Sequence, residues 1–253
     1  MDAIVLAGGK STDDPLSAMT GGGLKSMLPI AGKPMVQWVL DAISGSKLID
    51  TVVVIGIEDV SLLQCSKPLI TLPDEGSLIG NIQRGSQKLD EVHPNETHVV
   101  SFSADIPAVT PDIIDHLVSI YQKAEVDIYY GVVERAVMEK RFPGSKRTYI
   151  KIKNEEVCGG DLNSFSKRAV LQPDALWKEL IKARKNPLKQ AGMIGIGSLL
   201  LLVLGMIDLD QVAARVCKRL GITGRAVRVP FAEVGMDVDK PFQFEMVQAD
   251  LLG

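Results

Sequence analysis

Hydrophobic and polar positions in the first half of the chain switch repeatedly between two periods. Ala3–Leu6 is a short apolar run that stops at Gly8-Gly9. Over Pro34–Ser44, Met35, Val36, Val39, Leu40 and Ile43 recur at helical spacing and share one face, with Pro34 suited to a first turn. Thr51–Ile57 (TVVVIGI) is a continuous β-branched run, the pattern of a strand covered on both faces. Ser77–Leu89 reads as a helix, His98–Ser103 as a strand and Asp127–Val133 as another. Between these two strands, Pro111–Lys123 reads as a helix with Thr110 as its N-cap and Pro111 at its first position. Strand and helix alternating at this spacing predict an α/β fold: a three-layer, Rossmann-like α/β/α arrangement around a mostly parallel sheet.

From about residue 134 the rhythm changes. Lys140-Arg141, Lys146-Arg147 and Lys151 cluster around a predicted hairpin, and Cys158-Gly159-Gly160-Asp161 reads as a turn. Helical segments follow, then a strand at Ala226–Val229 and a closing helix at Pro241–Leu251. The expectation is a single domain over 1–253. Its core lies at about 1–133 and 226–253, and an elaborated helical lid or acceptor lobe lies at about 134–225. Within that lobe, Ala191–Ile207 carries no charge yet falls short of the ~20 residues that cross a bilayer. It is expected to form buried core, then an oligomer interface (a homodimer), then the lining for an apolar acceptor. Peripheral membrane contact also stays open.

Composition narrows the chemistry. With 28 basic and 31 acidic residues the net charge is −3, which argues against a nucleic-acid partner. Three scattered cysteines and three histidines leave no disulfide framework, Cys-rich zinc site or multi-histidine centre. The N-terminal run is strand-length and carries Asp2 where a secretion signal needs positive charge, so a cytoplasmic protein is expected. Carboxylates, lysines, backbone amides and a bound cation are the tools left.

Four segments could use them. Leu6-Ala7-Gly8-Gly9-Lys10 follows the first strand, where free amides of a glycine loop can cradle phosphate oxygens, although a tight turn reads the same way. It lacks the spacing of a dinucleotide fingerprint, and Gly21-Gly22-Gly23-Leu24-Lys25-Ser26 fails as a P-loop because Leu24 stands where glycine is needed. Lys25 sits on a polar loop and can fold over a phosphate chain or simply be a solvated lysine. Asp105, in Ser103-Ala104-Asp105-Ile106-Pro107, ends a buried strand and suits Mg²⁺ or a turn. In Met236-Asp237-Val238-Asp239-Lys240-Pro241, alternation puts Asp237 and Asp239 on one side, with helix capping as the competing role.

In this order and spacing the segments resemble the nucleotidyltransferase superfamily of molybdenum cofactor guanylyltransferases, sugar-1-phosphate nucleotidyltransferases and CMP-sugar synthetases. Leu6-Ala7-Gly8-Gly9 matches its L-A-G-G loop. Lys25 with Leu28, Gly32, Lys33, Pro34 and Met35 matches its K-x-x-L…G-K-P-M segment. Asp105-Ile106-Pro107 is similar to its D-x-P, and Asp237–Pro241 to its late D-x-D-x-P. The resemblance implies the nucleotide-diphospho-sugar transferase fold and NMP transfer from an NTP to a phosphorylated small-molecule acceptor with release of pyrophosphate. It further implies nucleotide binding by Leu6, Ala7, Gly8, Gly9 and Lys10 and, near the base, by Gly76, Ser77 and Asn81. Lys25 is then the catalytic charge, and Asp105 and Asp239, with Asp237 as a helper, are the ligands of Mg²⁺ or Mn²⁺. Arg147 and Lys151 are candidates for the acceptor's phosphate, with surface solvation the competing reading. One departure is the absence of an arginine between Gly9 and Lys25. The alternatives are an NDP-sugar-dependent glycosyltransferase and a nucleotide-binding regulatory protein without turnover.

Overall fold

The structure is a computed structural model and describes residues 1–9, 15–153, 155–171, 208–219 and 221–253. The strands of the first half are β1 (Asp2–Leu6), β2 (Pro29–Ile30), β3 (Lys33–Pro34), β4 (Val52–Ile55), β5 (Leu69–Leu72) and β6 (His98–Ser103). Those of the second half are β7 (Ile128–Glu134), β8 (Ile150–Ile152), β9 (Glu155–Gly159), β10 (Leu162–Ser166) and β11 (Gly224–Arg228). The helices are α1 (Ser17–Thr20), α2 (Met35–Gly45), α3 (Leu78–Val92), α4 (Pro111–Tyr121), α5 (Arg135–Arg141), α6 (Lys167–Val170), α7 (Leu209–Arg219) and α8 (Pro241–Leu252).

Among the described residues nine strands form one sheet in the order β5-β4-β1-β6-β10-β7-β9-β8, with β11 also paired to β7. β1 pairs in parallel with both β4 and β6, β4 with β5, and β7 with β11. Only β9 and β10 run against the others. Alternation along the central strands builds a core on each face. Ala3, Val5, Val52 and Val54 pack with apolar residues of α2, α4 and α8. Ile4, Val53, Ile55 and Val99 point the other way and meet Leu89 of α3. That is why the β-branched run of β4 has no exposed position. Two caps fix where helices begin: Thr110 accepts from the Ile113 N–H, and Ser77 accepts from the Gly80 N–H.

The middle of the chain differs from the sequence expectation in one respect. The β8–β9 hairpin falls where the basic cluster predicted it. The stretch after Asp161, expected to be helical, instead contributes β10, which lies antiparallel between β6 and β7 inside the same sheet. Its buried positions are Leu162, Ser164 and Ser166, so two of the three inward side chains are polar and no apolar alternation marks the strand. The apolar stretch 191–207 lies outside the described residues. Among those described, no helix is long and apolar enough to cross a membrane.

Asp127 fastens this insertion. Its carboxylate accepts from Ser166 Oγ at 2.7 Å, Arg168 at 2.6 Å, and both the backbone and hydroxyl of Thr223 at 2.9 Å. Burial pushes the carboxyl up, but these donors outweigh it and hold Asp127 down at about 2. A depressed carboxyl stabilises the fold above its unfolded value and loses that contribution as pH falls through the folded one. Asp127→Ala is expected to cost roughly 2–3 kcal/mol in urea unfolding at pH 7. The wild-type advantage should fade between about pH 4 and pH 2. A variant that unfolds at the wild-type urea midpoint at pH 7 would contradict this role.

Candidate active site

A cavity of about 670 Å³ opens past the carboxyl ends of β1, β5 and β6. Ligands of open parallel sheets collect there, and the volume suits a nucleotide-sized molecule. The L-A-G-G loop forms one wall. Ala7 is buried; its N–H is spent on Ile55 O of β4, and its carbonyl accepts from Ser26 Oγ at 2.8 Å. Ala7 therefore shapes the loop, and Leu6, Gly8 and Gly9 face the cavity. Gly8 lies so near Gly56 that a Cβ on Gly56 would stand 2.3 Å from Gly8 N and Cα. Gly56 also has φ 103°, so glycine is required there twice over. Lys10 lies outside the described residues.

The opposite rim is the turn between β5 and α3. Asp74 accepts from the Gly9 N–H at 3.1 Å, the Gly76 N–H at 3.0 Å and the Asn81 side-chain amide at 2.9 Å. The Asn81 bond, opposed by modest desolvation and joined by the two backbone donors, holds the Asp74 carboxyl below its ordinary range. Asn81 also accepts from the Glu75 N–H at 2.8 Å. Gly76, Ser77 and Asn81 line the cavity, with the Asn81 amide employed in bracing the turn.

Ser26 sets the direction of its neighbour. Its bond to Ala7 pins the short 3₁₀ turn Lys25–Met27 under the loop, and Lys25 extends to two carboxylates of the cavity wall, Asp105 and Asp239. The Lys25 ammonium lies 2.6 Å from an Asp105 carboxylate oxygen and also donates to Asp239. Burial alone would lower the lysine's pKa. The charges and hydrogen bonds of Asp105 and Asp239 outweigh it and hold Lys25 above its ordinary value. Asp105 is oriented by Ser103 Oγ, which donates to its other oxygen, and its carbonyl accepts from the Val238 N–H at 2.9 Å. Val238 is fully buried, so Asp237 and Asp239 on either side of it face the cavity, as alternation predicted. The helix-capping role does not materialise: Lys240 is the N-cap of α8 without a side-chain cap bond, and Gln243 instead accepts from the Asp239 N–H at 3.0 Å.

The remaining predicted residues separate. Arg147 is not a solvated surface arginine; it forms a largely buried ion pair with Asp237, beside the cavity. Asp237 is therefore matched by an arginine, whereas Asp105 and Asp239 share one lysine. Lys151 is exposed on β8, in a hollow that it shares with Arg135, Lys153, Glu134, Glu139, Glu155 and Glu156, away from the main cavity. The cavity wall also contains Asp74, Ser103 and Asp161, which the motifs do not assign to the site. Asp74 stands two residues past a strand, the same signal that singled out Asp105. Ser103 precedes Asp105 by two. Asp161 was read only as a turn residue. Burial and the nearby Asp105 push its carboxyl up to about 7, Asp239 adds to that, and Arg147 and Lys25 pull against it.

A mostly parallel sheet covered by helices, with a glycine loop and paired carboxylates at one nucleotide-sized cavity past its strand ends, is the architecture of the nucleotide-diphospho-sugar transferase fold. Comparison with known proteins makes the assignment more specific. Residues 3–182 match the model of the MobA-like NTP transferase domain, and the chain belongs to that family. A hypothetical transferase from Thermus thermophilus is 33% identical, with 96% of this chain and 98% of that one covered and a TM-score of 0.82. CMP:2-keto-3-deoxy-manno-octonic acid synthetase, solved with CTP, shares the fold at 15% identity and a TM-score of 0.60, covering 99% of this chain and 98% of that one. The 3-deoxy-manno-octulosonate cytidylyltransferase of Synechococcus elongatus is 31% identical over 107 residues, 40% of this chain. That match spans 42% of the relative's length.

Proposed function

We propose that this chain transfers a nucleoside monophosphate from an NTP to a phosphorylated small-molecule acceptor, with CTP the first donor to test because two of its relatives are named for cytidylyl chemistry. In the step, an acceptor phosphate oxygen bonds to the α-phosphorus. The bond from that phosphorus to the β-phosphate bridging oxygen breaks, and pyrophosphate leaves with the electron pair. The acceptor phosphate is already ionised near neutrality, so positioning and charge neutralisation carry the rate. This agrees with a cavity whose lining contains no histidine among the described residues.

The observation that carries the reading is the convergence of Lys25, Asp105 and Asp239 beside the Gly8–Gly9 loop. It also tests the donor set for a cation. Two carboxylates from separate segments already close on a single positive charge, the lysine ammonium. Among the described residues no group of three or more carboxylate, histidine or cysteine ligands forms a cage. Mg²⁺ bound through one or two carboxylates and completed by substrate phosphates needs no such cage, so Asp105 and Asp239 fit it. When bound, Mg²⁺ or Mn²⁺ would supply neutralisation of phosphate charge. The chain's own contributions are the Gly8–Gly9 loop against the phosphates, the Lys25 ammonium on the charge that develops during transfer, and Asp74 keeping the two rims in register. Arg147 stands beside the cavity at a place where an acceptor anion could compete for it with Asp237.

The test supplies each NTP with Mg²⁺ and a panel of sugar phosphates and polyol phosphates, and measures pyrophosphate. Acceptor-dependent pyrophosphate from one NTP is the expected result. NDP release from an NDP-sugar would replace this reading with glycosyl transfer. Tight NTP binding with no product from any acceptor would replace it with a nucleotide-binding regulator.

A further inference from the structure

From the position of Lys25 we infer that it is a built-in counter-ion which a divalent cation must displace from Asp105 and Asp239, so that cation loading hands the lysine over to the nucleotide's phosphates. This rests on the metal assignment to that carboxylate pair. The ammonium is within 2.6 Å of Asp105 and donates to Asp239 as well, so it fills the point on which both carboxylates close. The lysine side chain is only 18% exposed, and Asp105 is 17% exposed. A charge in so sheltered a place is costly without a partner, and the lysine and the carboxylates neutralise one another. A second cation cannot join this arrangement without meeting the ammonium at close range, where like charges repel strongly in a medium less polar than water.

The remaining neighbours do not relieve that conflict. Asp237 is taken by Arg147, so it has no spare charge to offer the lysine. Asp161 lines the same cavity, and its burial disfavours a further carboxylate charge there. The phosphate chain of an incoming nucleotide does relieve it, by giving the displaced ammonium new acceptors. Two consequences follow. The free protein binds a divalent cation weakly, and cation and nucleotide strengthen one another's binding by the same factor, as linkage demands. Lys25 therefore has a second role as the residue that ties metal affinity to nucleotide occupancy.

The experiment measures Mn²⁺ binding by electron paramagnetic resonance, with and without a non-hydrolysable α,β-methylene NTP. In Lys25→Met, nucleotide-free Mn²⁺ affinity is expected to rise by about tenfold or more, and the strengthening by nucleotide to shrink. Lys25→Arg keeps the charge and is expected to stay near wild type on both counts. Unchanged or weaker Mn²⁺ binding in Lys25→Met would overturn the inference. Without its counter-ion, Lys25→Met is also expected to melt lower than wild type in a chelator and to gain more from Mn²⁺. A variant whose native circular dichroism saturating Mn²⁺ fails to restore would count against it. Asp105→Asn separates this idea from the function beneath it. Loss of Mn²⁺ binding there upholds the carboxylate site even if Lys25 proves indifferent, and retention removes the metal assignment itself.

Discussion

Asp105→Ala is expected to lower nucleotidyl-transfer turnover by about 10³-fold, in keeping with the several kcal/mol that a bound cation contributes to phosphoryl chemistry. Asp105 is the residue on which the site converges. Ser103 orients its carboxylate, the Val238 N–H holds its backbone, and Lys25 lies 2.6 Å from it. Removing the carboxylate leaves Asp239 alone, half-exposed and without the rigid strand end that Asp105 has. Asp105→Asn keeps the shape and loses the charge, and should lose activity to a similar degree. Circular dichroism with steady-state kinetics checks both variants. Turnover within about tenfold of wild type in either would show that this carboxylate does not act on the reacting phosphates.

Gly56→Ala should be the most damaging single methyl in the loop region. Its φ of 103° is strained for any residue with a Cβ, at roughly 1–3 kcal/mol. The added atom would also stand 2.3 Å from the backbone of Gly8, which cannot give way as a flexible side chain would. The β4 end and the glycine loop must then part. A loss of about 3 kcal/mol or more in denaturant unfolding is expected, together with a rise in the NTP dissociation constant. Val53→Ala, a large-to-small change in the core on the same strand, serves as the control: it should cost comparable stability while leaving nucleotide affinity near wild type. Equal effects of both variants on affinity would mean that the glycine contact stabilises the fold without shaping the phosphate loop.

β1, β4 and β6 were legible because their runs are mostly apolar and buried, and α2, α3 and α4 because each carries an apolar stripe; β5, a four-residue edge strand with three half-buried positions, is not among the elements the pattern predicts. His98–Ser103 is a strand over the whole expected range, and Thr110 caps α4 as its residue type promised. β10 was not legible. Ser164 and Ser166 both point inward, and Ser166 is satisfied by a partner that no local pattern reveals, Asp127, 39 residues before it. The site divides the same way. Lys25, Asp105 and Asp239 could be singled out by their motifs, yet their mutual contact depends on a bond from Ser26 to Ala7 and on Val238 entering the core. Arg147 is a candidate for the acceptor's phosphate on sequence, but its pairing with Asp237, 90 positions later, lies beyond any helical or hairpin spacing and is not legible there. Asp161 acquires its raised pKa from burial and from carboxylates on other segments, and nothing in its own turn announces this. Lys151 lies apart from the main cavity, in a separate hollow that Arg135 and Lys153 share with Glu134, Glu139, Glu155 and Glu156.

The central claim is that the cavity splits an NTP between its α- and β-phosphates and passes the α-phosphate to an acceptor. Parallel reactions with α-labelled and γ-labelled NTP test it most directly, using whichever acceptor releases pyrophosphate. The α-label should appear in the acceptor product and the γ-label in pyrophosphate, in equal amounts, and Asp105→Asn should lose both together. Label from the γ-position in the acceptor, or in free inorganic phosphate without α-labelled product, would contradict the account.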